Sequence, residues 1–134
     1  MRGQPMKIRL YQKGDAEKLR LLISKDLEWA SYFSPSKWQK YLKVLKDSRA
    51  FVMFDGEEII AFLRYKLDGA FGVYIYDLLV DNERRGHNYG KALISRLQAK
   101  YPNDYIYVMS DNDGYYRHLG FEIEGTIFKI QNGR

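Results

Sequence analysis

The sequence predicts an α/β domain (α+β by some schemes), with a mixed central sheet that begins as an antiparallel meander and is flanked by about four helices. Three observations predict it. Apolar runs between residues 50 and 80 are punctuated by two Asp-Gly turns, Asp55-Gly56 and Asp68-Gly69, the spacing of hairpin-connected strands. Helical periodicity follows Asp15, follows Ser34-Pro35 and returns over 88–101. Between Leu78 and Leu93 an apolar strand enters a short basic loop holding Gly86 and Gly90, and an amphipathic helix starts directly after it.

Taken in order, residues 1–5 carry no periodicity and read as a flexible extension, and 7–11 alternate as a first strand. Asp15 is placed to cap a helix in which Ala16, Leu19, Leu22 and Ile23 share one face. Residues 27–33 form an aromatic connection. Ser34-Pro35 is a helix start, an N-cap followed by proline at the first helical position. Trp38, Tyr41, Leu42 and Leu45 then fall at i, i+3, i+4 and i+7, a core stripe. Strands over 50–54, 59–66 and 71–80 make the meander. In the helix over 88–101, Tyr89, Leu93 and Leu97 face the sheet and Pro102 ends it. A buried strand is expected over 105–110, parallel to 71–80 because a helix joins them. A short helix over 114–119 stops at Gly120, and 121–130 supplies a last strand. The element order is β-α-α-β-β-β-α-β-α-β.

At 134 residues, the chain 1–134 reads as one domain, a length that buries about two-thirds of its unfolded surface. Hydrophobic residues at 46% and charged residues at 29% exclude disorder as the default. With no Cys, disulfides and thiolate chemistry are excluded, and two His argue against a metal cluster. No apolar run approaches membrane-spanning length and no signal-peptide pattern is present, so a cytoplasmic protein without membrane contact is expected. A net charge of +5 raises the question of nucleic acid. The basic residues are scattered, however: Lys37, Lys40, Lys43 and Lys46 on one helix, and Arg84, Arg85, Lys91 and Arg96 around the loop. No aligned basic stripe exists, so nucleic acid is not the expected partner.

The strand–loop–helix segment points to an anion. Free backbone N–H groups and the positive end of the following helix converge on one place, and Arg84, Arg85 and Lys91 add charge around it. It is not the dinucleotide fingerprint GxGxxG, because Gly86 and Gly90 are separated by His87-Asn88-Tyr89. Nor is it a Walker A loop, since Ala92 follows Lys91 where Ser or Thr is needed. The run Arg85-Gly86-His87-Asn88-Tyr89-Gly90 resembles the pyrophosphate loop of the GNAT acetyltransferases, (Gln/Arg)-x-x-Gly-x-(Gly/Ala). Asn88 stands where the middle glycine is usual, and Asn tolerates a left-handed backbone. A second segment, Asn112 followed by Tyr115-Tyr116-Arg117-His118-Leu119-Gly120-Phe121, resembles the late GNAT signature (Phe/Tyr)-Tyr-x-x-Leu-Gly-Phe. The chain is thereby identified as a member of that superfamily over roughly residues 74–124, and the element order fits its fold.

The resemblance implies acetyl-CoA as co-substrate and no metal. It implies that Arg85, Gly86, His87, Asn88, Tyr89, Gly90 and Lys91 wrap the pyrophosphate. The end of the fourth strand, Leu78, Leu79 and Val80, splays from the fifth and pairs with the pantetheine amides. Val80 N–H then becomes the donor to the thioester carbonyl, and Tyr116, carrying a phenolic proton at neutral pH, the general acid. Tyr115 reads as packing. Asn112 either bonds the pantetheine arm or caps the short helix. Asp77 is either a base acting through water or a structural residue that orders the splayed strands or pairs with Arg85. The implied reaction is acetyl transfer to a primary amine by direct attack in a ternary complex, because no Cys is available as acyl carrier. The other reading is a non-catalytic acyl-CoA-binding module on the same fold. The acceptor is a small-molecule or peptide amine, and a homodimer is possible in this family. Trp29, Tyr32, Phe33 and Trp38 either are core or suggest an acceptor of apolar or aromatic character, with Asp26 and Glu28 to attract its amine.

Overall fold

A computed structural model describes residues 6–30 and 34–132. Strands β1 (Lys7–Leu10), β2 (Arg49–Asp55), β3 (Glu58–Leu67), β4 (Val73–Val80) and β5 (Ile106–Val108) lie in the order β1-β2-β3-β4-β5. All neighbours are antiparallel except β4 and β5, which are parallel. The helices are α1 (Ala16–Ser24), α2 (Leu27–Ala30), α3 (Pro35–Lys46), α4 (Tyr89–Lys100) and α5 (Asp113–His118).

The meander follows from its turns. Gly56 and Gly69 both adopt positive φ, at 61° and 52°, which lets β2–β3 and β3–β4 reverse tightly. Alternation along β3 then divides the core. Ala61, Leu63 and Tyr65 pack with Leu93, Ile94 and Leu97 of α4 on one face. Phe62 packs with Leu19, Leu22 and Ile23 of α1 and with Trp38 and Leu45 of α3 on the other. Helix α3 starts as its sequence dictates, with Ser34 Oγ accepting from Lys37 N at 3.5 Å and Pro35 at the first position.

Several expectations are corrected. Asp15 does not cap α1 with its side chain. Its carboxylate turns back, accepting from Gln12 N and forming a two-pronged pair with Arg9 at 2.8 Å. The 27–33 connection contains a short helix, α2, while Tyr32 and Phe33 lie outside the described residues. The strand expected over 105–110 shrinks to β5 and is only half-buried. The reason lies next to it: 121–130 forms no strand, so among the described residues β5 has a sheet neighbour on one side only. Phe121, Ile123 and Ile127 fall in one phase of a strand and Phe128 and Ile130 in the other, so the apolar residues of the tail do not all reach one face.

Candidate active site

The site grows out of a mismatch between β4 and its two neighbours. Pairing of β4 with β3 runs to Ala61↔Val80, but pairing with β5 ends at Ile75↔Val108, closed by Met109 N donating to Ile75 O at 3.4 Å. A register shift opposite Arg64/Tyr65 places a bulge at Tyr76. Beyond it the ladder phase is fixed by Asp81 N, which donates to Ile60 O at 2.8 Å. Backbone groups alternate in direction along a strand, so Leu79 faces β3 while Leu78 and Val80 turn N–H and C=O to the opposite side. Among the described residues no strand pairs with them there. The splay is therefore real, and it presents an open edge two residues deep on alternate positions.

That edge leads into the loop. Asp81 caps a 3-10 turn, Asn82–Arg84, by accepting from Glu83 N at 3.1 Å. Asn88 then adopts the left-handed conformation, φ 62°, and α4 begins. Among the described residues, the backbone N–H groups from Arg85 through Lys91 find no acceptor; the first to do so is Ala92 N, to Asn88 O at 3.0 Å. A run of unsatisfied N–H groups at a helix N-terminus suits an anion.

The basic side chains are distributed less simply than their sequence positions suggest. Arg84 turns away to the β2–β3 hairpin and pairs with Asp55 and with Glu58. Arg85 donates through Nε to Val80 O at 3.3 Å and pairs with Asp26 at 3.2 Å. Lys25 reaches Asp81 at 3.2 Å and Glu58 at 2.8 Å. Burial opposes the charge on Asp81, but the Glu83 N–H and the Lys25 ammonium outweigh it and hold the carboxyl below its ordinary range. Lys91 is exposed and makes no ion pair among the described residues. His87 is exposed and stacks on Tyr89, ring centroids 5.4 Å apart.

Asp77 sits at the bulge on the α1/α3 face. Its Oδ2 accepts from Tyr41 Oη at 2.6 Å and from Arg64 Nε at 2.5 Å. The Arg64 guanidinium lies between the Tyr41 and Tyr76 rings, 5.8 and 5.3 Å from their centroids. Asp77 does not pair with Arg85, which goes to Asp26; its partners are Arg64 of β3, which sequence reasoning did not foresee, and Tyr41 of α3. Tyr41, largely buried, has its phenol pushed well up, first by burial and then by the Asp77 charge.

On α5, Asn112 uses its carboxamide oxygen to cap the helix, accepting from Tyr115 N at 3.2 Å. Tyr116 packs against the α4-side core, edge-on to Tyr115 with centroids 5.1 Å apart. Burial, aided by Asp111, pushes its phenol up to about 12, so it stays protonated. Sequence reasoning missed the placement of Tyr115. A Cβ at residue 90 would stand 2.3 Å from Tyr115 Oη and 3.8 Å from Val80 Cγ2, so the hydroxyl occupies space that only glycine leaves. The signal available in sequence was a tyrosine where packing alone needs phenylalanine.

The aromatic residues expected around the acceptor are placed differently. Trp38 is 1% exposed in the core, and Trp29 meets Phe62 edge-on at 5.9 Å. Asp26 is buried, accepting from Glu28 N and Trp29 N as well as from Arg85. The aromatics that do face outward near the splay are Tyr74 and Tyr76.

Solved structures share this architecture. A GNAT-family acetyltransferase from Streptococcus pneumoniae matches with a TM-score of 0.77 at 20% identity, over 97% of this chain and 100% of the other. Aminoglycoside N-acetyltransferase AAC(6')-Iy, solved in complex with CoA, matches with a TM-score of 0.77 at 19% identity, over 98% and 97%. In sequence, GCN5-related N-acetyltransferase 2, chloroplastic, of Arabidopsis thaliana is 33% identical over 93 residues, 62% of this chain. The chain spans 36% of that relative's length. The model of the acetyltransferase (GNAT) family matches residues 18–121, and with the open β4 edge and the loop in place, this chain belongs to that family.

Proposed function

We propose that the protein is an acetyl-CoA-dependent N-acetyltransferase acting on the primary amine of a small-molecule or peptide acceptor. The observation that carries this is continuity: the open backbone edge at Leu78 and Val80 runs directly into the unsatisfied N–H groups of Arg85 through Lys91. An extended amide-bearing arm that ends in a pyrophosphate has complementary groups in the same order. Leu78 and Val80 would pair the pantetheine amides as a sheet edge does, and the loop would hold the pyrophosphate. When bound, acetyl-CoA supplies a thioester whose carbonyl carbon is open to an amine.

The chain's own groups account for the rest. Val80 N–H is the donor aimed at the carbonyl oxygen, where negative charge develops. The acceptor approaches from the α1/α3 face beside Tyr76, as a neutral amine. As its N–C bond forms and the C–S bond breaks, Tyr116 gives the departing sulfur its proton, and the proton lost by the amine returns through solvent. Asp77 fixes β4 against β3 and α3 at the bulge, so that Val80 keeps its place.

The test is release of free CoA thiol on an amine panel spanning aminosugars, polyamines, amino acids and peptide N-termini. Turnover with at least one class supports the enzyme. Tight acetyl-CoA binding without thiol release on any amine supports the non-catalytic acyl-CoA module instead.

A further inference from the structure

We infer that Tyr115 is an additional cofactor-binding residue, its hydroxyl donating to the pyrophosphate held at the α4 N-terminus, and that Gly90 is glycine to leave it room. The inference rests on the acyl-CoA reading of the loop. It goes beyond it by assigning a donor from a different element, at a position where packing alone would be served by phenylalanine.

The geometry is specific. Gly90 is the second residue of α4. Cα–Cβ bonds in a helix tilt toward its N-terminus, so a group 2.3 Å from the Cβ position of Gly90 stands on the side where the unsatisfied N–H groups gather. Val80 Cγ2, 3.8 Å from the same point, places the hydroxyl beside the open end of β4 as well. Asn112 fixes the approach by capping Tyr115 N, and the Tyr115 hydroxyl bonds to none of the described residues. Burial holds its phenol above the usual value, so the oxygen keeps its proton and remains a donor. Arg84 and Arg85 are engaged with Asp55, Glu58 and Asp26, so the Tyr115 hydroxyl adds a donor beside Lys91 that those two side chains do not supply.

Calorimetric acetyl-CoA titration of the wild type, Tyr115→Phe, Gly90→Ala and the double variant tests the inference. Tyr115→Phe should weaken acetyl-CoA about tenfold, the weight of one hydrogen bond to a charged group, while the melting temperature of the free protein is unchanged. Gly90→Ala should also weaken it, because the new methyl displaces the Tyr115 hydroxyl. The double variant should bind no more weakly than Gly90→Ala alone, since the hydroxyl is already displaced there. Unchanged affinity in Tyr115→Phe, or fully additive losses in the double variant, overturns the inference and leaves the acyl-CoA reading standing. A wild-type chain that binds no acetyl-CoA overturns that reading and this inference with it.

Discussion

Tyr41 donates its hydroxyl to Asp77 Oδ2 at 2.6 Å, and through that oxygen α3 is tied to β4 at the bulge where β4 and β5 separate. Arg64 of β3 donates to the same atom at 2.5 Å, so one carboxylate joins three elements. The Asp77 and Arg64 side chains are only 16% and 12% exposed. Asp77→Asn therefore leaves a guanidinium without its counter-charge and should lower unfolding free energy by about 2–4 kcal/mol, read by urea denaturation. Acetyl-CoA affinity should change little. A variant as stable as the wild type but devoid of turnover would make Asp77 the base and refute the bracing role.

Tyr116→Phe removes one hydroxyl from a side chain packed against the α4-side core, so the fold should survive. If Tyr116 protonates the departing sulfur, kcat should fall by roughly 10²–10⁴ with little change in KM, because the proton is needed only as the bond breaks. With the phenol pushed up to about 12, wild-type turnover should show no decline from this group between neutral and mildly alkaline pH. Steady-state kinetics on an active acceptor decides it. Equal kcat in both proteins removes the acid role.

Charge at the loop makes a sharper distinction than the sequence alone permitted. Arg84 is committed to Asp55 and Glu58, whereas Lys91 is exposed at the helix start. Arg84→Ala should change acetyl-CoA affinity by less than about threefold, and Lys91→Ala by roughly five- to tenfold. Titration of both variants checks the ranking, and the reverse order would mean that Arg84 leaves its carboxylates to meet the ligand.

Stability should fall in acid for a stated reason. The Arg9 guanidinium, and with it Gln12 N–H, holds the Asp15 carboxyl below the usual carboxylate range, and Asp81 is lowered in the same direction. A carboxyl depressed in the folded state contributes stability that is fully present above its unfolded pKa and is lost as pH falls through the folded one. Melting temperature should thus hold steady down to about pH 5 and decline below about pH 4. Asp15→Asn should start lower and decline less steeply. Parallel acid limbs for the two proteins would show that the Arg9–Asp15 pair contributes nothing to it.

The meander, both Asp-Gly turns, the start of α3 and the left-handed Asn88 were legible because each is set by local chemistry: alternation, glycine φ, a serine cap, a small amide side chain. What failed was non-local. Asp15 looked like a cap until Arg9, on a neighbouring strand, claimed it. Trp38 was read both as part of a core stripe and as a possible acceptor contact, and the core reading is the one the fold keeps. The last strand was read from β-prone residues whose phase changes between Ile127 and Phe128, a mismatch that appears only when one face must be chosen. At the site, the candidate residues came from the resemblance of Arg85–Gly90 and Asn112–Phe121 to family motifs. The partners of Asp77, the diversion of Arg84 and the reach of Tyr115 to Gly90 all depend on which elements the fold brings side by side.

Thermal unfolding of the wild type and Gly90→Val, each with acetyl-CoA and with inorganic pyrophosphate as a polyanion control, tests the central claim most directly. A valine at 90 would place its Cβ 2.3 Å from Tyr115 Oη and crowd the start of α4 beside the loop. Acetyl-CoA at a hundredfold excess over its Kd should stabilise the wild type by about 2.7 kcal/mol, more than pyrophosphate does, and should leave the folded Gly90→Val unshifted. Equal shifts in the two proteins, or no shift in the wild type, would contradict the assignment of this loop and edge to acetyl-CoA.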